Sequence, residues 1–258
     1  MKTVTFANQK GGCGKTTSAC ILASGLSKIG YKTMLVDTDP QCNAALGSGA
    51  DILTMDKTLY DVFKGSAGFK DLIQKTDMGY DLVTGGLALA GADMEFTQTG
   101  REYMLREALE PFSGIYDYCV IDTAPSLGII TVNALTASDG VIIPLTPDLY
   151  SLQGLSQLNL LIDRVRKYSN KGLKTEGLLI TRYDGTNLSK AMREQIHNAA
   201  ISLKTKVFSQ PIRNSVAVRE SQLMKADLLS EAPRANATKD YTAFINEFLE
   251  GESNGKEK

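Results

Sequence analysis

One histidine, His197, and four cysteines are all the imidazole and thiol groups in these 258 residues. Cys13, Cys20, Cys42 and Cys119 fall without C-x-x-C spacing. That pattern argues against a zinc site and points to buried free thiols in a reducing compartment rather than to disulfides. His197 lies in a polar helical stretch and reads as a solvated side chain. No apolar run approaches the roughly 20 residues that span a bilayer. A β-type run starts at Thr3 and leaves no room for a secretory leader, so a cytoplasmic protein is expected. No sign of charge dominates either, since the net value is −1. The charges are nevertheless segregated: residues 161–225 hold 13 Lys/Arg against 5 Asp/Glu, and the remainder holds 15 against 24. Such a surplus suits an anionic partner on the C-terminal half, with scattered solvated lysines as the alternative.

The 43% apolar and 22% charged composition is that of a globular protein, long enough for one α/β domain with a large core. Residues 1–250 read as that domain, and 251–258 as a polar tail expected to be disordered. Strand-type and helix-type segments alternate throughout. The fold class this predicts is α/β, a mostly parallel twisted β-sheet flanked by helices on both faces.

The chain is organised around Asn8-Gln9-Lys10-Gly11-Gly12-Cys13-Gly14-Lys15-Thr16-Thr17. This stretch follows the β-type run Thr3-Val4-Thr5-Phe6-Ala7 and opens an apolar helix over residues 19–29. Glycines between a strand and a helix N-terminus let successive N–H groups converge on an anion, and the helix dipole adds to their field. Lys15 then reaches terminal phosphates, and the Thr16 hydroxyl can ligate Mg²⁺. The general pattern G-x-x-x-x-G-K-[ST] wants glycine where Gln9 stands, and a second lysine, Lys10, guards the loop entrance. The stretch predicts binding of a nucleoside triphosphate. Cys13 fills the loop's variable position, which makes it alkylation-sensitive without making it catalytic.

Two further strands end in carboxylates. Thr33-Met34-Leu35-Val36 delivers Asp37-Thr38-Asp39-Pro40-Gln41, and Tyr118-Cys119-Val120-Ile121 delivers Asp122. Ligands of parallel sheets gather beyond the carboxyl ends of the strands. An apolar strand presenting one aspartate is how phosphate-loop enzymes hold Mg²⁺ through water.

K-G-G-x-G-K-T-T resembles the deviant Walker A box of the ParA/MinD ATPases. From Met1 to about Leu249 the chain is similar to ParA-type DNA partition proteins of the short, Soj-like kind. D-x-D-P-Q is similar to that family's A′ box, which implies that Asp37 supports the Mg²⁺ shell and Asp39 positions the attacking water. Cys42 stands where the family has a glycine. Asp122 resembles the Walker B carboxylate. The resemblance implies a P-loop NTPase fold, ATP and ADP with Mg²⁺ as ligands, and slow ATP hydrolysis. The residues it assigns to the nucleotide are Lys10, Gly11, Gly12, Cys13, Gly14, Lys15, Thr16 and Thr17, with Arg182 and Pro211 near the adenine. Lys10 would cross a two-fold interface to the partner's nucleotide, giving an ATP-bound homodimer, with Gly12 small enough for that approach. The segment 87–98 would lie near the dimer face.

Nonspecific DNA and a ParB-type protein are the implied partners, and the nucleoid the implied location. Where some chromosomal relatives carry DNA-contacting arginines, this chain reads Asp184-Gly185-Thr186-Asn187-Leu188 and Ala217-Val218-Arg219-Glu220-Ser221. The basic surplus offers Lys204, Lys206, Arg213, Arg219 and Lys225 instead. A helix over 237–250, with Tyr241, Phe244, Ile245 and Phe248 at helical spacing, reads as docked on the core. The polar, mixed-charge end differs from the basic membrane helix of MinD-type proteins, so no membrane contact is expected. Two other readings stay open: a relative that positions a protein complex or surface apparatus, and a small-molecule phosphotransferase.

Overall fold

Side-chain alternation along the strands sets the layers of the molecule. The computed structural model describes residues 1–50 and 56–255. Its sheet comprises β1 (Lys2–Phe6), β2 (Thr33–Asp37), β3 (Gln74–Lys75), β4 (Asp81–Thr84), β5 (Tyr118–Asp122), β6 (Gly140–Leu145) and β7 (Lys174–Ile180). The strand order is β3-β4-β2-β5-β1-β6-β7. All neighbours are parallel except β3, which pairs antiparallel with β4 at the edge.

The first helices are α1 (Lys15–Ile29), α2 (Asn43–Gly47), α3 (Leu59–Phe63), α4 (Ala92–Glu95), α5 (Met104–Leu109) and α6 (Ile129–Ala137). They are followed by α7 (Leu149–Tyr168), α8 (Asn187–Ser202), α9 (Val216–Leu223), α10 (Leu228–Glu231) and α11 (Asn236–Gly255). Val4, Leu35, Val120, Ile142 and Leu179 face one layer, where α1 and α11 pack. Their strand neighbours Val36, Ile121, Ile143 and Ile180 face the other, against α5 to α8. Both sheet faces are therefore buried, as the near-continuous apolar strands require.

Helix α11 docks through Tyr241, Phe244, Ile245 and Phe248, all at most 3% exposed. Each such burial contributes roughly 1.5–3 kcal/mol. The approach to α1 is close: a Cβ on Gly25 would lie 2.4 Å from Ile245 Cδ1. Tyr241 Oη and Ser18 Oγ hydrogen-bond at 3.1 Å. The helix continues past residue 250, where the sequence suggests a tail, and Glu252 pairs with Lys2 at 2.8 Å. Residues 256–258 of that expected tail lie outside the described residues.

Residues 101–109, which the sequence pattern predicts as one amphipathic helix, divide into a 3₁₀ turn, Arg101–Tyr103, and α5. Tertiary capture explains the break: Asn133 Nδ2 donates to Arg101 O (2.8 Å), and its Oδ1 accepts from Leu105 N (3.0 Å).

Candidate functional site

Two left-handed glycines shape the loop between β1 and α1. Gly12 has φ 71° and Gly14 φ 86°, a conformation that costs other residues about 1–2 kcal/mol. A Cβ on Gly14 would also press on Thr181 Cγ2 at 3.4 Å. Thr181 fixes the loop from the end of β7 by donating Oγ1 to Cys13 O (2.8 Å). The first turn of α1 carries neither an acidic residue nor a side-chain cap, so its N–H groups are suited to an anion. Lys15 is 6% exposed and donates Nζ to Lys10 O (3.1 Å). Cys13 is fully buried, its Sγ donates to the same carbonyl, and burial pushes its thiol up, against the expectation of an alkylation-sensitive thiol.

Lys10 is fixed at both ends. Its N–H donates to Asn8 Oδ1 (3.0 Å), while Asn8 Nδ2 donates to Pro144 O (2.6 Å). Its ammonium reaches Thr146 Oγ1 (2.8 Å), Ser151 Oγ (3.4 Å) and the carboxylate of Asp148. Burial of Asp148 works against its charge, but Lys10, Thr146 and the Ser151 N–H outweigh it and hold the carboxyl below its usual range.

The acidic groups meet at the carboxyl ends of β2 and β5. Asp37 is fully buried and accepts from Asp39 N (3.0 Å), Ala44 N (2.9 Å) and Ala45 N (3.1 Å). Burial nevertheless pushes it up to about 7, against the pull of those amides and with a further push from Asp39. Asp122 is fully buried, and neither carboxylate oxygen has a hydrogen-bond partner. Burial and the charge of Asp37 drive its pKa well up, while neighbouring Thr16 and Lys15 pull the other way. A buried carboxylate with no partner beside a threonine hydroxyl fits a dication. Among the described residues no three His, Cys, Asp or Glu form a metal cage. Mg²⁺ here would complete its shell with water and phosphate, as that ion commonly does.

A cavity of about 930 Å³ opens before the loop. Gly11, Gly12, Gly14, Lys15, Thr16 and Thr17 line it, together with Asp39, whose Oδ1 accepts from Gln41 N (2.9 Å). Arg182, at φ 52°, stands on its wall. Pro211 is buried and does not line the cavity, whereas its neighbours Ile212, Arg213 and Asn214 do. Arg213 forms a two-pronged pair with Asp240, through Nε (2.8 Å) and Nη2 (2.6 Å). Arg219 and Lys225 are exposed at the cavity rim. Lys204 and Lys206 are exposed away from it, and Lys206 pairs with Glu247 (3.3 Å).

Sequence reasoning missed Thr181, the Asp148 group around Lys10, and Gln222, whose Nε2 donates to Thr17 Oγ1 (2.9 Å). All three come from sites far along the chain, with no local signal. Cys42 is in the left-handed conformation (φ 52°), and its sulfur accepts from Gly86 N (3.3 Å).

A family profile described as AAA domain matches residues 1–175. Sporulation initiation inhibitor protein Soj of Bacillus subtilis (strain 168) is 37% identical over 249 residues, covering 95% of this chain and 97% of Soj. Cobyrinic acid a,c-diamide synthase from Mycobacterium smegmatis, solved with ADP and magnesium, is 30% identical at TM-score 0.86. That match covers 98% of this chain and 96% of the synthase. A plasmid partition protein from Borrelia burgdorferi is 28% identical at TM-score 0.75, covering 96% and 98% of the two chains. With a phosphate loop led by Lys10, paired aspartates at the neighbouring strand ends and these full-length matches, the chain belongs to the ParA-type, Soj-like family of partition ATPases.

Proposed function

We propose that the protein is an ATP-dependent dimerising switch that binds DNA without sequence preference and positions a DNA cargo with a ParB-type partner. The observation that carries this reading is one cavity lined by Lys15, Thr16 and Asp39, with the buried, unpartnered carboxylate of Asp122 beside Thr16 and Lys15 and the Lys10 carbonyl bonded to Lys15.

The amides of the loop and Lys15 bind the β- and γ-phosphates of ATP. Asp39, buried but on the cavity wall, orients the attacking water. Thr16 and Asp122 would hold Mg²⁺, with Asp37 supporting their surroundings. When bound, Mg²⁺ neutralises charge that develops on the transferring phosphoryl group. Lys10 supplies a further cation across the two-fold interface, so hydrolysis is slow in one chain alone. Ile212 and Arg182 form the wall for the base, and Pro211 backs Ile212.

In the dimer the basic surfaces double, and their phosphate contacts give salt-sensitive, sequence-independent DNA binding. Lys204, Arg219 and Lys225 are the exposed contributors. Lys206 contributes at the cost of its pair with Glu247, and the Asp240 fork makes Arg213 the weakest of the five. Hydrolysis returns monomers that leave the nucleoid. No helix among the described residues is long and apolar enough to cross a membrane.

Light scattering with and without a non-hydrolysable ATP analogue, repeated with arbitrary duplex DNA, tests the reading. The expected result is an analogue-dependent doubling of mass, and DNA binding that weakens steeply with salt. A monomer under all conditions, or turnover that requires a small-molecule acceptor, overturns it.

A further inference from the structure

The ammonium of Lys10 already has a seat inside its own chain. Asp148 is the N-cap of α7, with one carboxylate oxygen accepting from Ser151 N at 3.0 Å. The other oxygen meets Lys10 Nζ. The Thr146 hydroxyl accepts from Lys10 (2.8 Å) and donates to Asp148, and Ser151 Oγ lies 3.0 Å from it. Thr146 and Ser151 are buried, while Lys10 and Asp148 are 31% and 35% exposed, so the ion pair lies at the surface over a buried floor of hydroxyl oxygens. The other end of Lys10 is tied to the nucleotide loop, because its carbonyl accepts from Lys15 Nζ (3.1 Å).

We propose that Asp148, with Thr146 and Ser151, is an intrachain latch on Lys10, which must be released before the lysine can reach a second protomer. This rests on the dimerising reading above. The latch also explains how release depends on nucleotide. Phosphate competes for the Lys15 ammonium, which removes a donor from the Lys10 carbonyl and loosens the loop that aims the lysine. Asp148 then acts as a positioning residue: it opposes dimerisation until the partner's triphosphate replaces it as counter-charge.

Asparagine caps helices as well as aspartate does, so Asp148→Asn removes the charge while keeping the cap. Two measurements test the latch. In sedimentation with a non-hydrolysable ATP analogue, Asp148→Asn is expected to tighten dimerisation about three- to tenfold, and to have no effect in a Lys10→Ala background. In the nucleotide-free protein, acylation of Lys10 by an N-hydroxysuccinimide ester, followed by mass spectrometry, should speed up several-fold in Asp148→Asn. Faster labelling with no dimer in any variant keeps the latch and overturns the dimer reading. Unchanged labelling, or a dimer weakened in a variant with a normal melting profile, overturns the latch.

Discussion

Asp37 and Asp122 are register partners on adjacent parallel strands, and both carboxylates are fully buried at the same sheet end. Asp37 is met by three backbone amides, whereas Asp122 has no hydrogen-bond partner. Their mutual repulsion weighs against folding in the absence of a cation. Asp122→Asn should therefore raise the melting temperature in EDTA by about 2–4 °C. The same change should lower Mg²⁺-dependent ATP hydrolysis at least about tenfold. A thermal melt and a phosphate-release assay on one preparation check both halves.

Asp39 touches the cavity but not the phosphate loop's own hydrogen bonds. Asp39→Ala should leave ATP affinity within about threefold and reduce hydrolysis by about 100-fold or more. Titration calorimetry with single-turnover kinetics separates the two. Under the proposed cycle, the variant stays on DNA after ATP is added, which a DNA-release measurement reads directly.

Gly85 follows β4, where an added Cβ would lie 2.8 Å from Asp37 O and 2.9 Å from Leu89 Cδ1. A backbone oxygen cannot swing aside as a side chain can. Gly85→Ala should cost about 1–3 kcal/mol in denaturant unfolding. It should also lower kcat more than ATP affinity, because the pressure falls on the segment carrying Asp39.

Asp227 anchors α10 onto α1. It accepts from Ser24 Oγ (2.6 Å) and pairs with Lys28 (3.0 Å). Burial opposes its charge, but Ser24, Lys28 and Ser230 prevail and hold the carboxyl below its usual range. A depressed folded-state value means that the charge stabilises the fold above the unfolded pKa and loses that effect as pH falls through the folded one. Asp227→Asn should therefore be about 1–3 kcal/mol less stable than the parent at pH 7. The gap should close as pH drops below about 4. Chemical denaturation at several pH values measures it.

The phosphate loop and the strands ending in Asp37 and Asp122 were legible because their signals are local: glycine spacing, apolar runs and a carboxylate at each stop. The docked stripe from Tyr241 to Phe248 was legible through helical period alone. What escaped depends on contacts between distant segments. Nothing near Asp148 announces that it meets Lys10, 138 residues earlier. The Asp240 fork that occupies Arg213, and the Asn133 amide that splits 101–109, are of the same kind. A basic residue counted toward a surface surplus has no visible counter-ion until the fold supplies one.

The close seat of Ile245 against Gly25 bears on how the molecule is made. The helix that carries the phosphate loop leans on side chains synthesised some 220 residues later. During synthesis that apolar flank lacks the side chains of α11 until residues 241–248 leave the ribosome, and a partly synthesised chain carries it without that cover.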